Sequence, residues 1–161
     1  MVIDRAWLTQ GGAILLAVAV LWAGFELMPG RRLARCQERL LQAAGDRNWN
    51  RVRELMADDY RDSWGQDRDQ AVAQVSGVLG NFLVLEILSE GTAVDRQGRE
   101  ATVSARLRLR GRGNAVGEAI LTHANALESQ FQFAWTRKSW KPWDWKLVSV
   151  SQPELDTMWT P

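Results

Sequence analysis

The sequence predicts an α+β domain behind a single apolar segment at the N-terminus. Two observations support this prediction: an uncharged run of 20 residues near the start, and a change of hydrophobic period from 3.6 to 2 after Gly80. The 161 residues leave room for one compact domain and a short appendage. We therefore expect a transmembrane anchor with a short tail over residues 1–30, a domain over 31–152 and a C-terminal tail over 153–161.

The composition excludes several classes of protein. The 20 basic residues balance 19 acidic ones and 46% of residues are hydrophobic, so neither a disordered chain nor a globally basic nucleic-acid binder is expected. The chain has one cysteine, Cys36, and one histidine, His123, which provide neither an internal disulfide nor a zinc ligand set. We expect no metal, no cofactor and no nucleic-acid partner.

The uncharged run, Ala6–Phe25, is long enough to span a bilayer. Twenty helical residues at about 1.5 Å each cover roughly 30 Å, the thickness of the hydrocarbon core. Trp7 and Trp22 lie near its two ends, where indole rings favour the headgroup region. We predict a single-pass anchor with residues 6–28 in contact with lipid; a cleaved signal peptide is the alternative, although its positive region would be only Arg5.

Basic residues on the carboxyl side of this segment indicate its orientation. Arg31 and Arg32 complete the predicted anchor, and Arg35 and Arg39 follow, whereas the amino side carries only Arg5. Because positively charged flanks favour the cytoplasmic side, the domain is expected in the cytoplasm. A periplasmic or extracellular domain stays an alternative, since the same arginines suit the polar face of a following helix.

Three amphipathic helices are predicted to open the domain. Apolar residues recur at 3–4 spacing over 31–45 and again over 49–56. A third helix is expected over 67–80, where Asp67 followed by Gln70 resembles a capping box. Its predicted buried side consists of Ala71, Val75, Val78, Leu79 and Phe82.

Four antiparallel strands are predicted to follow, over 82–89, 101–110, 130–136 and 143–150. The first is expected to end at Glu90-Gly91, and a turn is predicted at 95–99. Along the second strand the alternation is complete, with alanine, valine and leucine on one face and threonine, serine and arginine on a solvated outer face. Residues 114–127 are compatible with a loop or a short strand.

The order of these elements and four local stretches resemble the nuclear transport factor 2-like superfamily, which includes SnoaL-like domains. The stretches are AAGDRNWNRVRELMADDYRDSWG, DQAVAQVSGVL, ATVSARLRL and FQFAWTRKSWKPWDWKLVSV. The resemblance implies a cystatin-like α+β cone of three helices packed on a curved, mostly antiparallel sheet of four or more strands, with a cavity at its open end. Because members include isomerases, hydrolases, secretion components and binding modules, it leaves the activity open.

Aromatic residues supply the candidates for the wall of such a cavity. Four tryptophans fall within eleven positions near the C-terminus, and Trp140, in a predicted turn, is expected to be exposed. Rings in this setting either fill the core or contact an apolar ligand or partner. The cavity candidates are Tyr60, Trp64, Phe133, Trp135, Trp143 and Trp145.

Enzymes of this superfamily need ionisable side chains at particular positions of the fold. The sequence does not have such side chains at those positions. An isomerase of the ketosteroid type has a tyrosine on the first helix, where this chain carries Leu33, Cys36, Leu40 and Leu41. An epoxide hydrolase has two aspartates flanking an arginine, whereas here the acids of residues 58–62 belong to one turn. We assign no catalytic residue; an enzyme would have to draw on Asp59, Tyr60, Glu86, Glu118 and His123.

The sequence therefore predicts a membrane-anchored, non-enzymatic domain that binds a partner protein or a small apolar ligand in its cone. Two alternatives stay open: a small-molecule isomerase or hydrolase of the SnoaL-like type, and an accessory component of a membrane complex that dimerises through its sheet. The layout is similar to that of bitopic components of type IV secretion systems, which implies a bacterial protein. With a cytoplasmic domain, the seven arginines of residues 31–53 are expected near anionic lipid headgroups.

Overall fold

The computed structural model describes residues 29–159, which form an α+β domain of five helices and four strands. The helices are α1 (Pro29–Gly45), α2 (Trp49–Leu55), α3 (Arg68–Leu79), α4 (Ala115–Ala126) and α5 (Pro153–Trp159). The strands are β1 (Phe82–Gln97), β2 (Glu100–Gly113), β3 (Phe131–Arg137) and β4 (Trp145–Ser151). They form one antiparallel sheet in the order β1-β2-β3-β4. The predicted fold class of the domain is therefore confirmed.

The predicted lipid-spanning segment, residues 6–28 with Trp7 and Trp22, lies outside the described residues. Within residues 29–159, no helix combines the length and the apolar composition needed to cross a bilayer. Arg31 and Arg32 lie in the first turn of α1, where the described chain begins. The membrane anchor therefore stays a prediction.

The hydrophobic core lies between α1 and one face of the sheet. Leu33 of α1 and Val103 of β2 are both fully buried and belong to the same core cluster. Across the β2–β3 pair, Ala101 lies opposite Trp135, so a small side chain on one strand leaves room for a large ring on the next. The predicted inward face of the second strand is therefore correct over its first half, where Ala101, Val103 and Ala105 are buried.

Helix α3 begins at the predicted capping box, but fewer of its side chains are buried than the sequence predicts. The Asp67 carboxylate accepts a hydrogen bond from the Gln70 amide at 2.9 Å, and the Gln70 side chain accepts one from the Asp67 amide at 3.0 Å. Val75 and Val78, predicted on the buried side, are exposed. The reason is that α3 packs mainly on α2 and α4 rather than on the sheet, so it buries only a narrow face.

Strands β1 and β2 form a long hairpin that differs from the prediction. β1 continues through Gly91 to Gln97, because Gly91 has a φ of 61° and absorbs a register shift as a bulge instead of ending the strand. The turn contains only Gly98 and Arg99, and the φ of 65° at Gly98 is a conformation that glycine adopts without strain. The turn predicted at 95–99 was therefore too long.

Residues 115–126 form helix α4, not the loop or short strand considered from the sequence. Asn114 caps this helix, since its side-chain oxygen accepts a hydrogen bond from the Gly117 amide at 2.9 Å. A Cβ on Gly117 would lie 2.7 Å from the carbonyl oxygen of Asn81, which precedes β1. Close approach of α4 to this residue therefore requires the glycine that weakened the helical pattern in the sequence.

The two edges of the sheet differ in how they are covered. Residues 57–63 run beside β4, and the amides of Ala57 and Ser63 donate to the carbonyl oxygens of Leu147 and Val150 at 2.8 and 3.1 Å. Within residues 29–159, no strand pairs with the outer edge of β1.

Residues 153–159 of the predicted C-terminal tail form α5. The Glu154 carboxylate accepts hydrogen bonds from the amides of Ser129 and Glu128 at 2.6 and 2.9 Å. These bonds lower the pKa of the Glu154 carboxyl, and the bond from Ser129 has the largest effect. Helix α5 is therefore attached to the segment that leads into β3.

Helix α1 runs antiparallel to β1 and so defines two ends of the domain. A Cβ on Gly30 would lie 4.0 Å from the Cβ of Val94, whereas a Cβ on Gly45 would lie 3.7 Å from the Leu85 carbonyl oxygen. The start of α1 is thus beside the end of β1. We call the end that holds residues 29–35, 95–100 and 137–144 the proximal end, and the end that holds 45–47, 75–84 and 113–117 the distal end.

Replacing Gly111 by alanine is expected to destabilise the domain, because a Cβ there would lie 2.2 Å from the Val84 carbonyl oxygen of the paired strand. The strands would have to separate locally, which lowers the free energy of unfolding by about 1–3 kcal/mol. The control is Gly77→Ala in α3, where a Cβ meets nothing within 4 Å and stabilises the helix by about 1 kcal/mol. Urea unfolding of the full chain in detergent micelles, followed by circular dichroism, measures both; equal effects would contradict the β1–β2 register.

Candidate functional site

Two polar side chains are paired inside the hydrophobic core of the domain. Trp135 is fully buried, and its indole nitrogen donates a hydrogen bond to the side-chain oxygen of Gln37 at 3.1 Å. Gln37 is also fully buried, on the side of α1 that faces the sheet. This polar pair therefore lies inside the region where the sequence predicts an apolar cavity.

The six predicted cavity residues take three kinds of position. Four of them are buried in the core cluster, namely Tyr60, Phe133, Trp135 and Trp145. Trp64 is half-buried, whereas Trp143 is 62% exposed in the β3–β4 turn, near Trp140. The structure thus brings four of the candidates together as core and leaves Trp143 outside it. A contact between any of them and a ligand stays a prediction.

The five groups proposed for SnoaL-like chemistry do not converge. Glu86 on β1 and both Glu118 and His123 on α4 are exposed, and the Asp59 carboxylate also faces solvent. Of the five, only Tyr60 is buried. Burial is the main cause that raises the pKa of the Tyr60 hydroxyl, and the negative charge of the nearby Asp62 raises it further. The described structure therefore holds no pocket in which these five groups form an acid and a base facing one another.

The acid at position 62 stabilises a turn. One oxygen of the Asp62 carboxylate accepts hydrogen bonds from the amides of Trp64 and Gln66, at 3.0 and 2.8 Å. A carboxylate that closes a turn on the following amides is a common structural use of aspartate. The acidic run at 58–62 therefore holds the chain beside β4, with Asp62 buried in the turn.

An open groove of about 500 Å³ lies between the α2–α3 connection and the β3–β4 turn. The Asp59 carboxylate accepts hydrogen bonds from Lys138 Nζ at 2.8 and 3.0 Å, and this interaction lowers the pKa of the Asp59 carboxyl. Arg68 pairs in the same way with Asp58. The charges of this groove are therefore matched within the domain. Its charged lining residues are Arg53, Glu54, Asp58, Asp59, Arg68, Lys138, Asp144 and Lys146.

A second open groove, of about 420 Å³, runs between α1 and β1. Its lining mixes aliphatic side chains such as Leu85 and Ile87 with carboxylates such as Glu38 and Glu86. Among residues 29–159, no group of three histidine, cysteine or acidic side chains is arranged to hold a metal ion. Burial raises the pKa of the Cys36 thiol, which belongs to the core rather than to either groove.

Exposed aliphatic side chains are grouped around Asn81 at the distal end. Leu83 is 79% exposed and Val84 is 69% exposed, and Val116 at the start of α4 is also exposed. The exposed valines of α3 lie on an element that also meets Asn81, and a register shift between Phe82 and Val84 breaks the regular alternation at Leu83. We call this set of exposed residues the aliphatic surface; it consists of Val75, Val78, Leu83, Val84 and Val116.

Hydrogen bonds fix the three elements that carry the aliphatic surface. The Asn81 carbonyl accepts from the Asn114 amide at 3.0 Å, and the Asn81 side chain donates to the carbonyl oxygens of Gly77 and Val78, both at 3.1 Å. The Arg47 guanidinium, which follows α1, donates to the carbonyl oxygens of residues 79 and 82. The surface is therefore a preformed feature of the fold.

Sequence reasoning missed this surface because it treated residues 82–89 as one apolar strand and placed Val75 and Val78 inside. A usable signal was present in the adjacent pair Leu83-Val84. Successive side chains of a strand point to opposite faces of the sheet, so two consecutive aliphatic residues are both buried only where both faces are covered.

Two of the arginines on the predicted solvated face of β2, Arg106 and Arg108, bond to residues at the end of α4 and beyond it, whereas Arg110 is exposed as predicted. Arg108 donates to the Asn125 carbonyl oxygen at 2.5 Å, and Arg106 donates to the Glu128 carbonyl oxygen at 2.7 Å. The Asn125 side chain also bonds both backbone groups of Leu109, at 2.8 and 2.9 Å. Arg106 and Arg108 are half-buried and attach the end of α4 to the sheet.

Comparisons with known proteins bear on the fold. No protein-family model and no curated protein sequence matches this chain. Among solved structures, the domain is similar to the protein Bd1075 of Bdellovibrio bacteriovorus, with a TM-score of 0.56, 9% identity, and coverage of 76% of this chain and 39% of that one. This chain therefore spans about two fifths of the Bdellovibrio protein.

Two further similar structures are matched over most of their own length. One is a protein of unknown function with a cystatin-like fold from Nostoc punctiforme PCC 73102, with a TM-score of 0.54, 11% identity, and coverage of 75% of this chain and 86% of that one. The other is a nuclear transport factor 2-like protein of unknown function from Pseudomonas putida KT2440, with a TM-score of 0.55, 15% identity, and coverage of 76% and 84%. The domain thus has the nuclear transport factor 2-like, cystatin-like fold that the sequence resemblance implies.

Replacing Lys138 by methionine is expected to raise the pKa of the Asp59 carboxyl toward its ordinary value, because the ammonium hydrogen bonds stabilise the carboxylate. In the wild type, the Asp59 carboxyl has a lower pKa in the folded chain than in the unfolded chain, so it stabilises the fold when the pH is above its pKa in the unfolded chain. This contribution is lost as the pH falls through the pKa of the folded chain. Carboxyl-detected NMR titration measures the shift. Lys141→Met, in the same turn, is the matched control; an Asp59 pKa that does not move in K138M would contradict the ion pair.

Proposed function

We propose that this chain is a membrane-anchored, non-enzymatic domain of the nuclear transport factor 2-like fold that binds a partner protein through the aliphatic surface. The observation that supports the proposal is the exposure of five aliphatic side chains on three elements fixed around Asn81. Exposed apolar side chains gathered on one rigid patch are typical of protein interaction sites.

A protein suits this domain better than a small apolar ligand. Four of the six side chains predicted to line a cavity are buried in the core cluster, and the two grooves described above carry charged residues. The five candidate groups for an isomerase or hydrolase are dispersed, so the geometry gives that alternative no support. The aliphatic surface, by contrast, exposes aliphatic side chains to solvent at the distal end.

The position of the aliphatic surface favours protein over lipid as its partner. Val94, near the end of β1, lies beside Gly30, next to the proposed anchor at 6–28, whereas Leu83 lies at the start of the same strand. Helix α1, which runs along β1 between these two ends, covers about 22 Å from Gly30 to Gly45. The surface is therefore at the end of the domain opposite to the proposed anchor.

The proposed anchor would restrict the interaction to the surface of the membrane. An anchor over residues 6–28 confines the domain to the membrane plane and raises its effective concentration near partners held there. The arginines at 31, 32, 35 and 39 favour the cytoplasmic side for the domain, as in the sequence analysis. A membrane-bound partner, or a soluble partner recruited to the membrane, would then contact the distal end.

Photo-crosslinking in the native cell tests the proposal. A benzophenone amino acid placed at Leu83 or at Val116 is expected to yield one covalent adduct with the same second protein. The matched control position is Thr122, an exposed polar residue on another face of α4. An additional Val78→Asp substitution is expected to remove the adduct, because it places a charge within the aliphatic surface.

Binding of the two purified proteins then gives the decisive measurement. A Val116→Asp or Leu83→Asp substitution is expected to weaken the Kd at least tenfold, since each aliphatic side chain buried in an interface contributes about 1.5–3 kcal/mol. Thr122→Asp is expected to leave the Kd unchanged. An adduct of twice the mass of the chain would overturn the proposal in favour of a homodimer, and the absence of adducts at both positions would overturn it outright.

A further inference from the structure

We propose that the proximal end of the domain, through Trp140 and Trp143 in the β3–β4 turn, lies against the anionic lipid headgroups of the bilayer that holds the anchor. The inference rests on the anchor of the proposed function, but it uses residues at the opposite end from the aliphatic surface. Lipid contact would fix the orientation of the domain on the membrane.

Three separate segments meet at the proximal end. The start of α1 lies beside Val94 near the end of β1. The Arg137 amide at the end of β3 donates to the Arg99 carbonyl oxygen at 2.8 Å, which places the β3–β4 turn alongside the β1–β2 turn. Because residues 1–28 precede α1, the proposed anchor leaves the domain at this same end.

The β3–β4 turn presents two tryptophans to solvent. Trp140 is 80% exposed, and Trp143 is exposed as well. An indole ring has a large apolar body and one polar N–H, and such rings favour the interface between headgroups and hydrocarbon. Without a covering surface, both rings would leave a large apolar area in water.

The turn is held in this conformation by its own hydrogen bonds. The Lys138 amide donates to the Asp144 carbonyl oxygen at 3.1 Å, and the Asp144 amide donates to the Lys141 carbonyl oxygen at 3.2 Å. The indole of the buried Trp145 donates to the Pro142 carbonyl oxygen at 3.2 Å. The outward position of Trp140 and Trp143 is therefore a consequence of a closed turn.

The charge of the proximal end matches an anionic surface. Its basic side chains outnumber its acids, and each basic residue near an anionic membrane contributes about 1 kcal/mol of attraction. The comparison is one of formal charges, and it includes Lys138, which pairs with Asp59. The basic residues are Arg31, Arg32, Arg35, Arg96, Arg99, Arg137, Lys138 and Lys141, and the acidic residues are Asp95, Glu100 and Asp144.

The experiment reports the environment of the β3–β4 turn in the full chain. A Trp140→Cys variant, with the buried Cys36 replaced by alanine, carries an environment-sensitive fluorophore and is inserted into lipid nanodiscs. One set of discs contains phosphatidylcholine alone, and the other also contains about a third phosphatidylglycerol. The matched control carries the fluorophore at Val116→Cys, at the distal end.

In the anionic discs, emission from position 140 is expected to shift to shorter wavelength and to lose at least half of its quenching by aqueous iodide. The label at position 116 is expected to behave alike in both discs. Adding Arg99→Gln and Lys141→Gln is expected to reverse much of the change at position 140, because the attraction is electrostatic.

The outcomes separate this inference from the anchor on which it rests. If the chain stays with the discs in 0.5 M NaCl but position 140 is quenched as strongly as position 116 in both lipids, the lipid contact is overturned and the anchor is retained. If the chain separates from the discs during gel filtration, the anchor itself is overturned. Equal protection of position 140 in both lipids would overturn the requirement for anionic headgroups.

Discussion

One buried hydrogen bond, that between the Trp135 indole and the Gln37 side chain, joins α1 to the sheet inside the hydrophobic core. Both groups are fully buried, and the donor and acceptor atoms are 3.1 Å apart. Loss of this bond would leave a buried indole N–H unpaired at a cost of about 1–3 kcal/mol. Together with the apolar contacts of Leu33, Leu40 and Leu41, it favours the position of α1 in which Gln37 faces Trp135.

The position of α1 along β1 defines the two ends of the domain. Its first residues lie beside Val94, and its last residues lie beside Leu85, so the helix spans the length over which β1 carries the hairpin. The exposed Trp140 and Trp143 lie at one end, and the aliphatic surface lies at the other. The proposed lipid and protein contacts therefore use opposite ends of the domain and do not compete for the same area.

Local signals in the sequence were sufficient where local interactions decide the structure. The capping box at Asp67 and the alternation over the first half of β2 depend on neighbouring residues, and both are present as predicted. Helix α4 was missed because Gly117 serves packing against Asn81, a contact distant in the sequence. The aliphatic surface was missed for a similar reason: whether Val78 is buried depends on the tilt of α3, which tertiary contacts set.

The β4 edge of the sheet is covered by the chain itself. Residues 57–63 bond to the backbone of β4, so these groups are already paired within one molecule. Unpaired strand edges are the places where folded domains join edge to edge into aggregates. The segment that connects α2 to α3 therefore also protects this side of the sheet from such joining.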